Sequence, residues 1–517
     1  MHIRANAVKT GSMHEQMSPR GLIRVGIVLA VVLGAAPTLC AQPIEFRLTF
    51  PNELREAPFT GPVYLMFDRE DGERRRPREP RFGPNWFNVQ PFFRIDARDW
   101  KPGEPLTFRS DVPGIRGRLG SVPAGSYKLQ GVLRSNLDVP EIGSGEGSLY
   151  SAVRTVVIEA GNHEPIDLVL DQVVSRREAP DDERIKYVEV RSNLLSDFHG
   201  RDVRMRAGVL LPIGYAAASA RRYPSLYVIP GFGGDHGMAR MMKRMMPDDL
   251  SVVTIVPDPS AFTGHHVFAD SANNGPWGRA LLEELIPHLE KTFRIEPSAE
   301  HRYVSGISSG GWSSLWLQVT YPDAFAGVWS FAPDPVDFRD FQRINIYAPD
   351  ANMFRDERGE RRPLARRGDQ VMLWYDDFSA MDDVIGCGGQ LHSFEAVFSP
   401  KGSDGKPRRL WDRTTGAIDP LTATAWEKYD IRLVLERGGP ELIGTLQGKL
   451  HIIAGDEDTF YLEGAVKRLA GALEELGSDA RVELLADTDH GGTFSRARLA
   501  AIERTITERF ATASNHD

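Results

Sequence analysis

Ile44, Phe46, Leu48 and Phe50 alternate with polar neighbours, the two-residue period of a strand with one buried face. Short apolar runs of the same kind recur at residues 63–67, 127–133, 153–159 and 166–170. Turn pairs separate them, among them Pro102-Gly103, Pro113-Gly114 and Ala124-Gly125. No stretch between about residues 42 and 175 carries an apolar face at helical spacing. Strands divided by turns in this way predict an all-β unit of the sandwich type over residues 42–175. Residues 176–186 are mostly polar and charged, and read as a linker.

Beyond the linker the pattern changes to strands alternating with helices. Strands are predicted at 203–211, 226–229, 252–256, 303–305, 328–331, 450–454 and 482–485, and helices at 277–293, 312–321, 462–476 and 495–510. In the first helix Leu281, Leu282, Leu285, Ile286 and Leu289 share one face. This alternation predicts an α/β domain over 187–517, a mostly parallel sheet flanked by helices. Residues 332–449 break it. They hold Trp374, Tyr375, Phe378, Trp411 and Trp426 among many charges, and read as a cap inserted between two core strands.

The chain has 517 residues, 41% of them hydrophobic, with 62 Lys and Arg against 71 Asp and Glu and a net charge of −9. That composition excludes a disordered chain, and the lack of a dominant basic block argues against nucleic-acid binding. Arg20 and Arg24 precede an apolar run at 25–36 and the sequence Pro37 to Gln42, the layout of a secretory signal. Cleavage is expected after Ala41, with Met1, Met13 or Met17 as the start. The run is shorter than the roughly 20 residues a bilayer span needs, so the mature protein is expected in the periplasm or medium, with no transmembrane segment. Cys40 fits a lipidation site poorly, because larger residues precede it. After cleavage only Cys387 remains, so no internal disulfide can form. The sequence does not indicate an oligomeric state.

The sharpest chemical signal is Gly306-Ile307-Ser308-Ser309-Gly310, after a predicted strand and before a predicted helix. A serine nucleophile on such a turn needs small neighbours, which the glycines provide. It also needs a base, and the base needs an acid to fix its tautomer. His490, in Asp489-His490-Gly491-Gly492, follows the last predicted strand. Gly455-Asp456-Glu457-Asp458 follows the one before, and Asp458 is read as the acid with Asp456 the alternative. An oxyanion site requires backbone N–H groups aimed at developing charge. Pro230-Gly231-Phe232-Gly233-Gly234 follows an early strand, and the N–H groups of Phe232 and Ser309 are assigned as donors. His265, His266 and Trp312 are candidate substrate contacts. Two adjacent histidines without a third spaced ligand make a poor zinc site. Asp376, Asp377, Asp382 and Asp383 lack calcium-loop spacing and read as a solvated helix face.

Residues from about 200 to 510 resemble the esterase D-like branch of the α/β-hydrolases, which includes enterochelin esterases, feruloyl and acetyl-xylan esterases, and S-formylglutathione hydrolases. The likeness is carried by the stretches 227–234, 284–287, 306–312, 321–325 and 489–491. It implies hydrolysis of carboxylic esters, small or carbohydrate-linked, through an acyl-enzyme and without metal or other cofactor. The sequence departs from the family pattern at Pro230, where a His is usual, and in the long insert. A peptidase using the same triad, or a binding protein on a hydrolase scaffold, are the rival readings.

Overall fold

The computed structural model describes residues 44–514 except 71–77, 116, 160–163, 177–180, 216–219 and 248–250. The expected signal at 1–41, Cys40 and the alternative starts lie outside the described residues. Among the described residues no helix is long and apolar enough to cross a membrane.

The first part of the chain forms two sheets. Ile166–Val169, Glu45–Thr49 and Leu106–Arg109 make a three-stranded sheet in that order. A larger sheet is built around Phe59–Arg69, Phe92–Trp100 and Gly125–Leu133. Phe46, Leu48, Val63, Leu65, Phe67 and Leu129 are buried together in one core. The apolar run at 63–67 has a second role, because successive side chains of a strand point to opposite faces. Val63, Leu65 and Phe67 face that core, whereas Tyr64 and Met66 join the larger core of the α/β part. Two buried faces require a continuous apolar run rather than an alternating one.

The α/β part is an eight-stranded sheet. Its strands are β1 (Ile185–Arg191), β2 (Arg204–Leu210), β3 (Ser225–Ile229), β4 (Val253–Pro257), β5 (Arg302–Ile307), β6 (Gly327–Phe331), β7 (Leu450–Gly455) and β8 (Arg481–Leu485). Their spatial order is β1-β2-β4-β3-β5-β6-β7-β8. The first two pairings are antiparallel and the rest parallel. β3 to β6 are almost wholly apolar because helices cover both faces. β1 begins inside the stretch read as a linker. It is an edge strand whose polar residues alternate with half-buried ones, which hides it among charges.

Residues 332–449 lie between β6 and β7. They form the hairpin Pro363–Arg367 and Gln370–Trp374 and four helices, of which Tyr375–Ile385 and Gln390–Phe398 matter most here. The acidic residues of the first helix form a solvated face only in part, Asp377 being exposed. Asp382 is buried and its Oδ2 accepts a hydrogen bond from Nδ1 of His392 at 2.5 Å, while Asp376 pairs with Arg361. At Asp382 a side chain of opposite charge thus replaces water.

Candidate active site

The turn after β5 is compressed. Ser308 takes φ 61 and ψ −125, left-handed values that a non-glycine residue adopts only when its surroundings impose them. A Cβ on Gly306 would lie 2.1 Å from the Gly310 carbonyl oxygen, and one on Gly310 would lie 2.0 Å from that of Ile229. Glycine at both positions lets helix α1 (Ser309–Thr320) start directly against β3 and β5. The Ser308 N–H donates to the carbonyl of Phe331, and the Ser308 carbonyl accepts from the N–H of Asp334.

His490 and Asp458 meet across two neighbouring strand ends. Asp458 follows β7 and His490 follows β8, and a Cβ on Gly455 would sit 2.0 Å from the Thr488 carbonyl oxygen, so the two loops touch. His490 Nδ1 is 2.8 Å from Asp458 Oδ2, and the other Asp458 oxygen accepts from the N–H of Phe460 at 2.8 Å. Asp458 is fully buried, while Asp456 is exposed. Burial opposes protonation of His490, but the Asp458 hydrogen bond and charge, joined by the charge of Asp334, outweigh it and raise His490 above the ordinary histidine value. The Phe460 ring stands edge-on to the His490 ring at 5.0 Å.

Ser308 and His490 line one cavity of about 280 Å³. No hydrogen bond joins them among the described residues; Ser308 Oγ instead donates to Asp334 Oδ1 at 3.5 Å. Asp334 was not foreseen. It follows β6, and the rule that places sites at the carboxyl ends of parallel strands would have flagged it. Its Oδ2 accepts from Ser309 Oγ at 2.5 Å, and burial pushes its carboxyl up to about 6 against the opposing pull of those hydroxyls and of His490.

Gly231 abuts the serine, its Cβ position lying 3.2 Å from Ser308 Cβ. The backbone N–H groups of Phe232 and Ser309 donate to no other described backbone group. His265 supports this loop from behind. Its Nδ1 accepts from the Val267 N–H at 3.0 Å, which leaves the proton on Nε2 to donate to the Pro230 carbonyl at 2.8 Å. Burial lowers its pKa to about 4.

His265, His266 and Trp312, read from the sequence as candidate substrate contacts, do not line this cavity. His266 is buried, stacks on Trp277 with ring centroids 3.7 Å apart, and accepts from the Phe268 N–H. Trp312 is buried against Trp316 and Phe398. Trp312 lies in α1, on a face that a sheet with covered faces claims for packing. Cys387 is exposed, and its carbonyl accepts from Arg134. Among the described residues no group of three His, Cys, Asp or Glu is arranged to hold a metal ion.

Residues 200–443 match the model of the esterase family, described as "Putative esterase". This segment is similar to that family. An esterase of Mycobacterium tuberculosis is 30% identical over 146 residues, which is 27% of this chain and 31% of that protein. The chain therefore spans less than a third of that relative's length. Among solved structures, a ferulic acid esterase is 13% identical with a TM-score of 0.39, covering 63% of this chain and 99% of its own. An S-formylglutathione hydrolase of Agrobacterium tumefaciens is 16% identical with a TM-score of 0.38, covering 63% of this chain and 95% of its own. The matched segment contains Ser308, Asp334 and most of the insert, while Asp458 and His490 lie beyond its end.

Proposed function

We propose that this chain is an exported serine esterase that cleaves carboxylic esters through an acyl-enzyme intermediate. The observation that carries the reading is the convergence, in one cavity, of a serine held at positive φ and a histidine paired with a buried aspartate. With Nδ1–H donated to Asp458, the Nε2 of His490 is the free acceptor. It takes the Ser308 proton as Oγ turns from Asp334 and attacks the ester carbonyl. The N–H groups of Phe232 and Ser309 receive the negative charge that forms on the carbonyl oxygen. His490 then protonates the departing alcohol, and water repeats the cycle on the acyl-serine. The insert acts as a cap, contributing Gln342, Leu364, Phe378, Leu391 and Phe394 to the cavity wall. Export rests on the arginine-flanked apolar run near the start of the sequence.

Covalent labelling with a fluorophosphonate, followed by mass spectrometry, tests the assignment. An adduct on Ser308 that is lost in His490→Ala is expected. Ser308→Ala should lower ester turnover by about six orders of magnitude if the three groups act as a unit. Folded protein that takes no label and hydrolyses no ester would overturn the reading, and hydrolysis of peptide amides in place of esters would redirect it to a peptidase.

A further inference from the structure

Trp86 belongs to the N-terminal β part, on the chain between Phe59–Arg69 and Phe92–Trp100, yet it lines the cavity that holds Ser308 and His490. Three aromatic rings from separate parts of the α/β fold surround it. It lies nearly parallel to Phe232 of the glycine loop at 5.7 Å, edge-on to Phe378 of the insert at 4.9 Å, and edge-on to Phe460 beside His490 at 6.4 Å. Half-buried, it keeps one side toward open space.

That space is a second cavity of about 180 Å³, whose wall also includes Trp86, Phe232 and Gln390. The two cavities therefore adjoin across the Trp86–Phe232 pair. The far wall of the second is supplied by the β part through Phe82, Pro84, Pro140 and Ile142, with Arg78, Arg81 and Glu141 beside them, and by Ile385 of the insert. Such surfaces suit a flat apolar ring, which offset-stacks or meets edges at these spacings.

Building on the esterase reading, we infer that the second cavity is a substrate subsite for a ring-sized apolar group carried at a distance from the scissile ester, and that Trp86 is its specificity-determining residue. The β part then acts as a wall of the active site, and the substrate is an extended ester with a reacting part under the insert and a ring lodged at the seam. A small ester fills only the first cavity and gains nothing from the second.

Two homologous series test this. One is p-nitrophenyl acetate, 3-phenylpropionate and 6-phenylhexanoate, which extends the acyl side. The other is methyl, 3-phenylpropyl and 6-phenylhexyl acetate, followed by acid release, which extends the alcohol side. In one series kcat/KM should rise at least tenfold from the shortest member to the longest. Trp86→Ala should collapse that ratio to within about twofold of unity, while Trp86→Phe, which keeps a ring, should retain most of it. Ser144→Trp, at the exposed rim of the second cavity, should lower the ratio as well. Unaltered thermal melting of the variants separates these effects from misfolding. A flat profile in both series, or a ratio untouched by Trp86→Ala, overturns the subsite even if the fluorophosphonate adduct on Ser308 forms. If no ester is turned over and no adduct forms, the esterase reading falls instead. Calorimetric titration of 6-phenylhexanoate and 6-phenylhexanol into the wild type and Trp86→Ala then decides the subsite: binding weakened at least tenfold by the variant supports it, and equal or absent binding overturns it.

Discussion

His490 sits between two carboxylates in unlike surroundings. Asp458 holds it through a direct hydrogen bond, whereas Asp334 acts on it only through charge. Asp458→Asn removes the partner that raises His490, so the residual kcat/KM should fall by about three to four orders of magnitude. Its rising limb should also move to lower pH, since the base then loses its proton more readily. A pH–rate profile checks both, and an unmoved limb would count against His490 as the titrating base. Asp334 titrates in the opposite sense. Its carboxyl is raised from 3.8 to about 6 by burial, so the fold favours its protonated form. That contribution is full below about pH 3.8 and is lost as pH rises through about 6, a change on the order of 3 kcal/mol. Asp334→Asn keeps an acceptor for the Ser309 hydroxyl without the charge. Urea unfolding of the variant and the wild type should therefore agree near pH 4 and diverge by pH 7, with the variant the more stable.

The turn between β5 and α1 is set by backbone contact, and this makes its glycines intolerant. Gly310→Ala places a methyl against the Ile229 carbonyl oxygen, a rigid part of β3, at a separation no side-chain movement relieves. A loss of at least about 3 kcal/mol in denaturant unfolding is expected, together with loss of any fluorophosphonate labelling at Ser308. These elements were legible because their causes are local. Glycines at both ends of a strand-to-helix turn mark it from spacing alone, and each parallel strand is a short apolar run. The β1 edge strand was missed because its exposed side carries charges. The pairing of Asp458 and not Asp456 with His490 depends on how one loop turns after β7, which no periodicity encodes. Adjacent His265 and His266 looked available because loop histidines in a sequence reveal nothing of the backbone that folds over them. Trp86 gave no signal at all, since its role arises from rings 146 to 374 residues further along the chain.

At the scale of the molecule, the β part and the insert are fastened together beside the candidate site. Arg134, buried at the end of Gly125–Leu133, donates to the carbonyl of Cys387 in the insert, to that of Phe262 in the α/β part, and to that of Val139 in its own part. Its guanidinium also lies over the Phe262 ring at 4.1 Å. The Tyr64 hydroxyl adds a hydrogen bond to the Ile385 carbonyl at 2.6 Å. A planar fork with five donors suits such a junction, because one side chain satisfies carbonyls from three directions. Methionine approximates the volume of the arginine stem but offers no donor. Arg134→Met should therefore leave three carbonyls poorly satisfied and cost about 3–5 kcal/mol. The loss falls on the junction, while the cores on either side keep their packing. Calorimetry should accordingly give one transition for the wild type and two for the variant, the earlier reporting separation of the β part. Because Trp86 reaches the cavity from that same part, selectivity for long esters should be lost between the first and second transitions, with fluorophosphonate labelling of Ser308 persisting there. One cooperative transition in the variant, shifted by less than 1 °C, would show that the apolar contacts of Tyr64, Met66 and Val132 hold the parts together without the arginine.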